Sequence, residues 1–233
     1  MRPRSAFVRR CLTVCGLALA ALAVAVATPA SAAPYRVFPP DSKPFGKTYG
    51  QWSAEWWKQA VRETGATGTP FAAGEVDCAA LGMGDVVFLV GTTSGTGSPV
   101  ERSCAISKHA AILVPPINGE CSEAEGNGST DAELRTCAAL QADGMTNVRL
   151  SIDGTALTGL NNFRFASPLY RFSPVAGNVF EPYPPAATNS PSVADGYWVM
   201  IDKLKKGTHT VSFGGDFPAA GFSTQTTYTL TIR

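Results

Sequence analysis

The chain holds two histidines, His109 and His209, and these bound any acid–base chemistry it could perform near neutral pH. A serine hydrolase needs its nucleophile on a tight turn, with a histidine and an acid behind it. Gly91-Thr92-Thr93-Ser94-Gly95 and Gly95-Thr96-Gly97-Ser98 are the nearest stretches, and neither has the G-x-S-x-G spacing. His209 shares the parity of Val211 and Phe213, so it is expected on the apolar side of a strand, held by hydrogen bonds rather than acting as a base. His109 opens a strand beside Lys108 and is expected at the surface. Glycoside hydrolysis would need two carboxylates on facing strands about 5–10 Å apart. No pair is marked out: Asp153 belongs to a turn, Asp202 lies opposite Val199 and Ile201, and Asp195 and Asp216 are read as loop residues beside glycine.

Binding chemistry has two further candidates. Glu123-Ala124-Glu125-Gly126-Asn127-Gly128-Ser129-Thr130-Asp131 alternates oxygen-bearing side chains as a calcium loop does. The twelfth position would be Leu134 instead of a bidentate Glu, which favours a plain acidic loop. Trp52, Trp56 and Trp57, joined by Trp198, are the candidate ligand-binding residues, because exposed indoles stack on sugars or anchor proteins. Three indoles on one helix equally serve as the large apolar face that an amphipathic helix buries against a sheet. The reading calls for no metal and no cofactor.

Cys78, Cys104, Cys121 and Cys137 are separated by 26, 17 and 16 residues, with no C-x₂-C pair to suggest zinc. Four cysteines allow three pairings. Sequence-local closure favours Cys78–Cys104 and Cys121–Cys137, each worth roughly 3 kcal/mol if unstrained.

These residues need elements to hold them. Lys47 to Thr64 reads as a helix, with Tyr49, Trp52, Trp56 and Ala60 on one face and Gln51, Glu55, Lys58 and Arg62 on the other. Gly65 to Pro70 forms a linker. Val86 to Val90 is a buried strand, Thr92 to Pro99 a turn that returns into Val100 to Ile106, and His109 to Val114 a third strand stopped by Pro115-Pro116. A short helix follows from Ala132 to Ala142, with Asp131 placed as its N-cap and Thr130 three before Glu133 as in a capping box. Asn147 to Ile152 leads into Asp153-Gly154, a type I′ hairpin signal. Segments at Tyr197 to Asp202, Thr210 to Phe213 and Gln225 to Ile232 alternate apolar and polar, as half-buried strands do. Pro168 to Pro191 reads as edge strands in long loops. About eight to ten strands without a repeat predict a mainly β chain, an antiparallel two-sheet sandwich or jelly roll carrying one Trp-rich helix and one short helix.

The start of the chain is a secretory signal in form. Arg2, Arg4, Arg9 and Arg10 precede an apolar run from Cys11 to about Ala27, and Ala30-Ser31-Ala32 supplies a small-residue cleavage site. The run is short for a ~30 Å bilayer core and ends in proline and small residues, so cleavage is expected instead of an anchor. The expected organisation is therefore 1–32 as signal peptide and 33–233 as one secreted or extracytoplasmic domain. Removing those four arginines from 19 basic residues leaves 15 against 18 acidic, a net charge of −3. With no basic run left, nucleic acid is excluded as the natural partner.

Tyr49-Gly50-Gln51-Trp52-Ser53-Ala54-Glu55-Trp56-Trp57, the Cys78-to-Cys104 segment around Val86-Val87-Phe88-Leu89-Val90-Gly91-Thr92, and Ala110 to Asn118 before Cys121 together resemble a family of secreted bacterial proteins. Gly196-Tyr197-Trp198 and Gly207 to Val211 resemble that family's closing β-hairpin. Leu113 and Val114 stand where the family carries paired aromatics. The resemblance implies export and a β-rich fold and brings no catalytic residue with it. The expected function is thus a non-catalytic extracellular β-sandwich that binds a glycan or protein, or serves the cell envelope. A secreted hydrolase using carboxylates or a Ser/His pair, and a calcium-dependent adhesion-like module, are the competing expectations.

Overall fold

The computed structural model describes residues 35–62, 70–78, 80–93, 98–173 and 189–233. The expected signal segment lies outside them, as do parts of the linker after the first helix, of the Thr92 to Pro99 turn and of Pro168 to Pro191. In chain order the elements are α1 (Tyr49–Ala60), β1 (Gly82–Met83), β2 (Val86–Phe88), β3 (Val100–Ile106), β4 (Ala111–Val114), β5 (Asn118–Ser122) and α2 (Asp131–Asp143). They continue with β6 (Thr146–Ile152), β7 (Thr155–Ala156), β8 (Tyr170–Phe172), β9 (Ser190–Gly196), β10 (Val199–Ile201), β11 (Gly207–Phe217) and β12 (Phe222–Ile232).

α1 begins where a reciprocal cap forms. Gln51 N donates to Thr48 Oγ1 at 3.2 Å, and Thr48 N donates to Gln51 Oε1 at 2.9 Å. Its aromatic face is buried, and each polar tip finds a carbonyl: Trp52 Nε1 donates to Pro44 O (2.9 Å), Trp56 Nε1 to Leu89 O (2.8 Å) and Tyr49 Oη to Phe38 O (2.8 Å). Trp52 meets Phe88 edge-on with centroids 6.0 Å apart, and Trp56 meets Trp198 at 5.4 Å. Glu55, on the other side, bonds Lys47 and Lys58.

The strands form three sheets. The first has the order β1-β2-β4-β10, with β2 parallel to β4. Its strands are continuous apolar runs because both faces are covered: all four residues of β4 are buried. The second has the order β3-β12-β11-β6-β7 and is built on the eleven-residue hairpin of β11 and β12. Asp153 and Gly154 turn β6 into β7 with φ of 50° and 76°, the left-handed pair that the sequence signal required. The third sheet, β5-β9-β8, carries α2 on one face through Cys121, Leu134, Ala138 and Val193. The fold is mainly β and sandwich-like, as expected. A third sheet and two parallel pairings are added to that expectation.

Several local expectations are corrected. Thr92 to Pro99 does not fold β3 back on β2; β3 pairs in parallel with β12, Val100 beside Thr226 and Ile106 beside Ile232. The burial pattern gives the reason: β3 alternates, so it fits the margin of a one-sided sheet, whereas β2 needs cover on both faces. Thr130, not Asp131, caps α2, and Glu133 Oε2 accepts from Thr130 N at 3.0 Å. The residues just before the acidic loop form β5. Ser190 and Pro191 open β9, the central and wholly buried strand of the third sheet. Asp195 lies in β9, where Arg164 Nη2 meets it at 3.0 Å, and Asp216 lies in β11, accepting from Ser223 Oγ at 2.6 Å. Both disulfides, Cys78–Cys104 and Cys121–Cys137, form with Cα atoms 6.0 Å apart.

Candidate functional site

The last turn and a half of α1 sets Trp56 and Trp57 at the inner wall of a small groove of ≈ 80 Å³. Phe71 faces them, its ring 5.6 Å from Trp56 and 5.8 Å from Trp57. Gly91 and Thr92, from the stretch after β2, line the groove with exposed Thr93 at its rim, and the connector Pro115–Ile117 with Phe222 of β12 completes the lining. Asn118 adds a polar atom: its Oδ1 is buried and has no hydrogen-bond partner among the described residues.

Phe71 belongs to a segment without regular structure, so something else must fix it. That anchor is Arg102, which the alternation of β3 turns inward although it is charged. Its guanidinium donates to Pro70 O (3.0 Å), Ala72 O (2.8 Å), Gly74 O (2.9 Å) and Val90 O (2.6 Å), and to Tyr228 Oη at 3.0 Å. A buried cation is tolerated only when its donors are all engaged, and here carbonyl dipoles stand where a carboxylate would usually be. Burial pushes the Tyr228 phenol up, and the neighbouring Arg102 charge offsets part of that rise, so Tyr228 stays a neutral partner. Glu75 fastens the same segment from outside by accepting from Ser103 N (2.9 Å) and Oγ (3.1 Å), and Cys78–Cys104 closes it. Thr92 Oγ1 and Thr93 N both donate to Phe71 O, joining the two stretches.

The structure brings the four candidate indoles into one aromatic cluster and places them inside. Trp52 and Trp56 are each 2% exposed, Trp57 8% and Trp198 0%. An open stacking platform is therefore not present; the edges of Trp56 and Trp57 reach the groove, and Trp52 and Trp198 back them from behind. Phe71, Pro115, Pro116, Phe222 and Arg102 were not singled out from the sequence. Arg102 left a legible signal, a charge at the inward parity of Cys104 and Ile106.

The histidines do not converge on the groove. His209 Nδ1 lies 2.8 Å from Asp153 Oδ2 and Nε2 lies 2.9 Å from Lys205 O, so both ring nitrogens are occupied. Burial alone would raise the Asp153 carboxyl, but the bonds from His209 and Thr210 N outweigh it and hold it below the usual range. His109 is exposed at the turn before β4.

A second polar cluster lies on the third sheet. Glu120 of β5 is 6% exposed. Ser192 Oγ of β9 bonds Glu120 Oε2 and also lies 2.9 Å from Tyr170 Oη. Ser122 Oγ lies 3.4 Å from Glu120 Oε1 and 3.0 Å from Glu125 Oε2. Burial first, then Glu125, drives the Glu120 carboxyl well above the ordinary glutamic range.

No helix among the described residues is long and apolar enough to cross a membrane. No protein-family model matches the chain, and no curated protein matches it. Among solved structures, it is similar to PbICP-C in complex with falcipain-2, with a TM-score of 0.30 and 11% identity over 64% of this chain and 100% of that one. It is also similar to the cysteine protease inhibitor EhICP2 from Entamoeba histolytica, with a TM-score of 0.24 and 16% identity over 64% and 96%. Superpositions this loose transfer no residue role.

Proposed function

We propose that the chain is an exported, non-catalytic binding domain whose groove beside Trp56, Trp57 and Phe71 receives an apolar side chain of a protein ligand. The observation that carries this reading is the investment in the groove's wall: a buried guanidinium, a carboxylate and a disulfide all fix a segment that has no regular structure of its own. Rigid aromatic walls around a cleft the size of one side chain are how protein interfaces seat their anchors. Sugar stacking needs an open ring face, and the indoles here offer only edges. Export is supported by the signal-like start and by two disulfides. The buried Trp helix supports kinship with the secreted family that the sequence resembles; the stretch from Gly196 to Val211, expected as a closing hairpin, instead divides between β10, paired with β4, and β11, paired with β12.

The test is ¹⁹F NMR of protein carrying 5-fluorotryptophan, titrated in parallel with short peptides bearing Leu, Ile or Phe and with soluble chito-oligosaccharides. The Trp56 and Trp57 resonances are expected to move with a peptide, while Trp52 stays. Thr93→Arg, at an exposed position on the rim, should abolish the shift at unchanged melting temperature. A response to sugars alone, or a peptide response that survives Thr93→Arg, overturns the reading.

A further inference from the structure

Glu120 carries a carboxyl into the space between β5 and β9, and the groups around it are all accounted for. From its own strand come Ser122 and, one turn later, Glu125; from β9 comes Ser192; from β8 comes Tyr170. Arg171 of β8 points elsewhere and donates to Asn189 O. On β9, Asp195 pairs with Arg164. On α2, Asp131 and Arg135 hold each other and Glu133 caps the helix, while the Gln141 amide reaches only the Glu120 carbonyl. On α1, the charged Glu55 and Lys58 are bonded to each other. Among the described residues, no cation bonds Glu120 or Glu125.

Two carboxyls joined through one serine hydroxyl, one of them buried and neither paired with a cation, cannot both carry a negative charge without a large penalty. The turn that brings Glu125 in is held by Ala124 N to Ser190 Oγ (2.9 Å), Glu123 N to Pro191 O (3.1 Å), Gly126 N to Glu123 O (3.0 Å), Asn127 N to Ser122 O (3.0 Å) and Ser122 N to Asn127 Oδ1 (3.0 Å). Only the first two of these reach β9. Glu120 is fixed within a sheet, whereas Glu125 is only half-buried on a turn, so Glu125 is the group free to leave.

We propose that Glu120 and Glu125 share one proton and form a pH-operated latch that holds the turn 123–127 against the start of β9. With the proton present, Glu120 is neutral and the turn is closed. Losing that proton to solvent leaves a buried carboxylate facing a second one across Ser122, and the turn releases by carrying Glu125 into water. The direction follows from burial, which favours the neutral form of Glu120, with Glu125 adding to it. The folded chain then holds a proton that the unfolded chain has lost. Stability conferred by the latch is therefore present at low pH and declines as pH rises from the ordinary glutamic value through the raised one. Tyr170, its phenol raised by burial and then by Glu120, remains protonated throughout and continues to serve Ser192.

The experiment uses the mature chain with ¹³Cδ-labelled glutamate, titrated from about pH 4 to about pH 9, with amide hydrogen exchange at residues 122–127 corrected for intrinsic rates. The Glu120 resonance is expected to titrate well above the ordinary glutamic range, and the opening constant of the turn to rise about tenfold per pH unit beyond that midpoint. Glu120→Gln, an isosteric neutral side chain, should keep the turn closed across the range. Glu125→Gln should lower the Glu120 midpoint. A Glu120 resonance that titrates within the ordinary glutamic range overturns the proposal in the wild-type chain itself. So does turn exchange that follows the same pH course in wild type and in Glu120→Gln.

Discussion

Arg102 is 2% exposed and Glu120 6%, yet the protein meets the two buried charges in different ways. Arg102 cannot shed its proton in any accessible range, so the chain brings charge density to it: carbonyls from Pro70, Ala72, Gly74 and Val90 converge on one planar fork. Glu120 can change its charge, and the chain brings it two hydroxyls and a second acid instead of a base. The first solution makes a fixed anchor whose strength does not vary with pH. The second leaves a group whose state depends on the solution. Rigidity is concentrated at the groove, and responsiveness lies a sheet away.

The largest effect should come from breaking the anchor. Arg102→Met keeps length and apolar bulk but strips donors from the buried carbonyls of Pro70 and Val90 and from a buried tyrosine hydroxyl, besides the half-buried contacts to Ala72 O and Gly74 O. Leaving such groups unsatisfied is expected to cost about 3–5 kcal/mol, read as a lower urea midpoint at unchanged slope. A loss below about 1 kcal/mol, the size of a surface substitution, would mean water replaces the guanidinium easily and the groove wall is not held as argued.

The two disulfides separate the regions more finely. Closing loops of 26 and 16 residues, they are worth about 3.5 and 3 kcal/mol by chain entropy, so single removals should weaken the fold to similar extents. Their local consequences should differ. Replacing Cys78 and Cys104 by Ala loosens the segment that carries Phe71 and should broaden the Trp57 fluorine resonance. Replacing Cys121 and Cys137 by Ala frees β5 from α2 and should raise amide exchange at 123–127. Identical local responses from both variants would show that the regions are not independent.

The architecture was legible where one physical rule dominated. The Trp face of α1 followed from helical spacing, the β6–β7 turn from Asp153-Gly154, and the strands β11 and β12, though not their pairing, from Thr-rich alternation. β9 was hidden because Ser190-Pro191-Ser192-Val193-Ala194-Asp195-Gly196 carries little hydropathy; it is buried by hydrogen bonds and an ion pair that exist only after distant segments meet. The pairing of β3 with β12 was hidden because local closure suggested a return to β2, and long-range parallel pairing leaves no local mark. The indoles were visible, but their exposure was decided by the partners Pro44, Leu89 and Phe71. Arg102 and Glu120 could have been noticed as charges at inward positions; what satisfies each could not, since the carbonyls and serines that do so are drawn from across the chain.

The smallest expected effect is none: EDTA should leave the protein's melting temperature unchanged. The competing expectation was a calcium cage over Glu123 to Asp131, and three of its side chains, Glu125, Asn127 and Asp131, are already engaged. Glu133 Oε2 accepts from Ser129 N (2.9 Å) and Thr130 N (3.0 Å), and those bonds hold its carboxyl below the usual range as part of the α2 cap. Asp131 bonds Arg135 at 2.9 Å, Asn127 Oδ1 accepts from Ser122 N, and Glu125 turns inward to Ser122. A cation drawing on Glu133 would have to break the cap of α2 to gather ligands. The comparison of the two buried charges sharpens at this point, because the acidic region is balanced by a proton where a metal could have served. Differential scanning fluorimetry at about pH 6, with EDTA and then with excess calcium, checks it. A fall of several degrees in EDTA that calcium restores would put a cation where the shared proton is placed, and the latch would then be a metal switch.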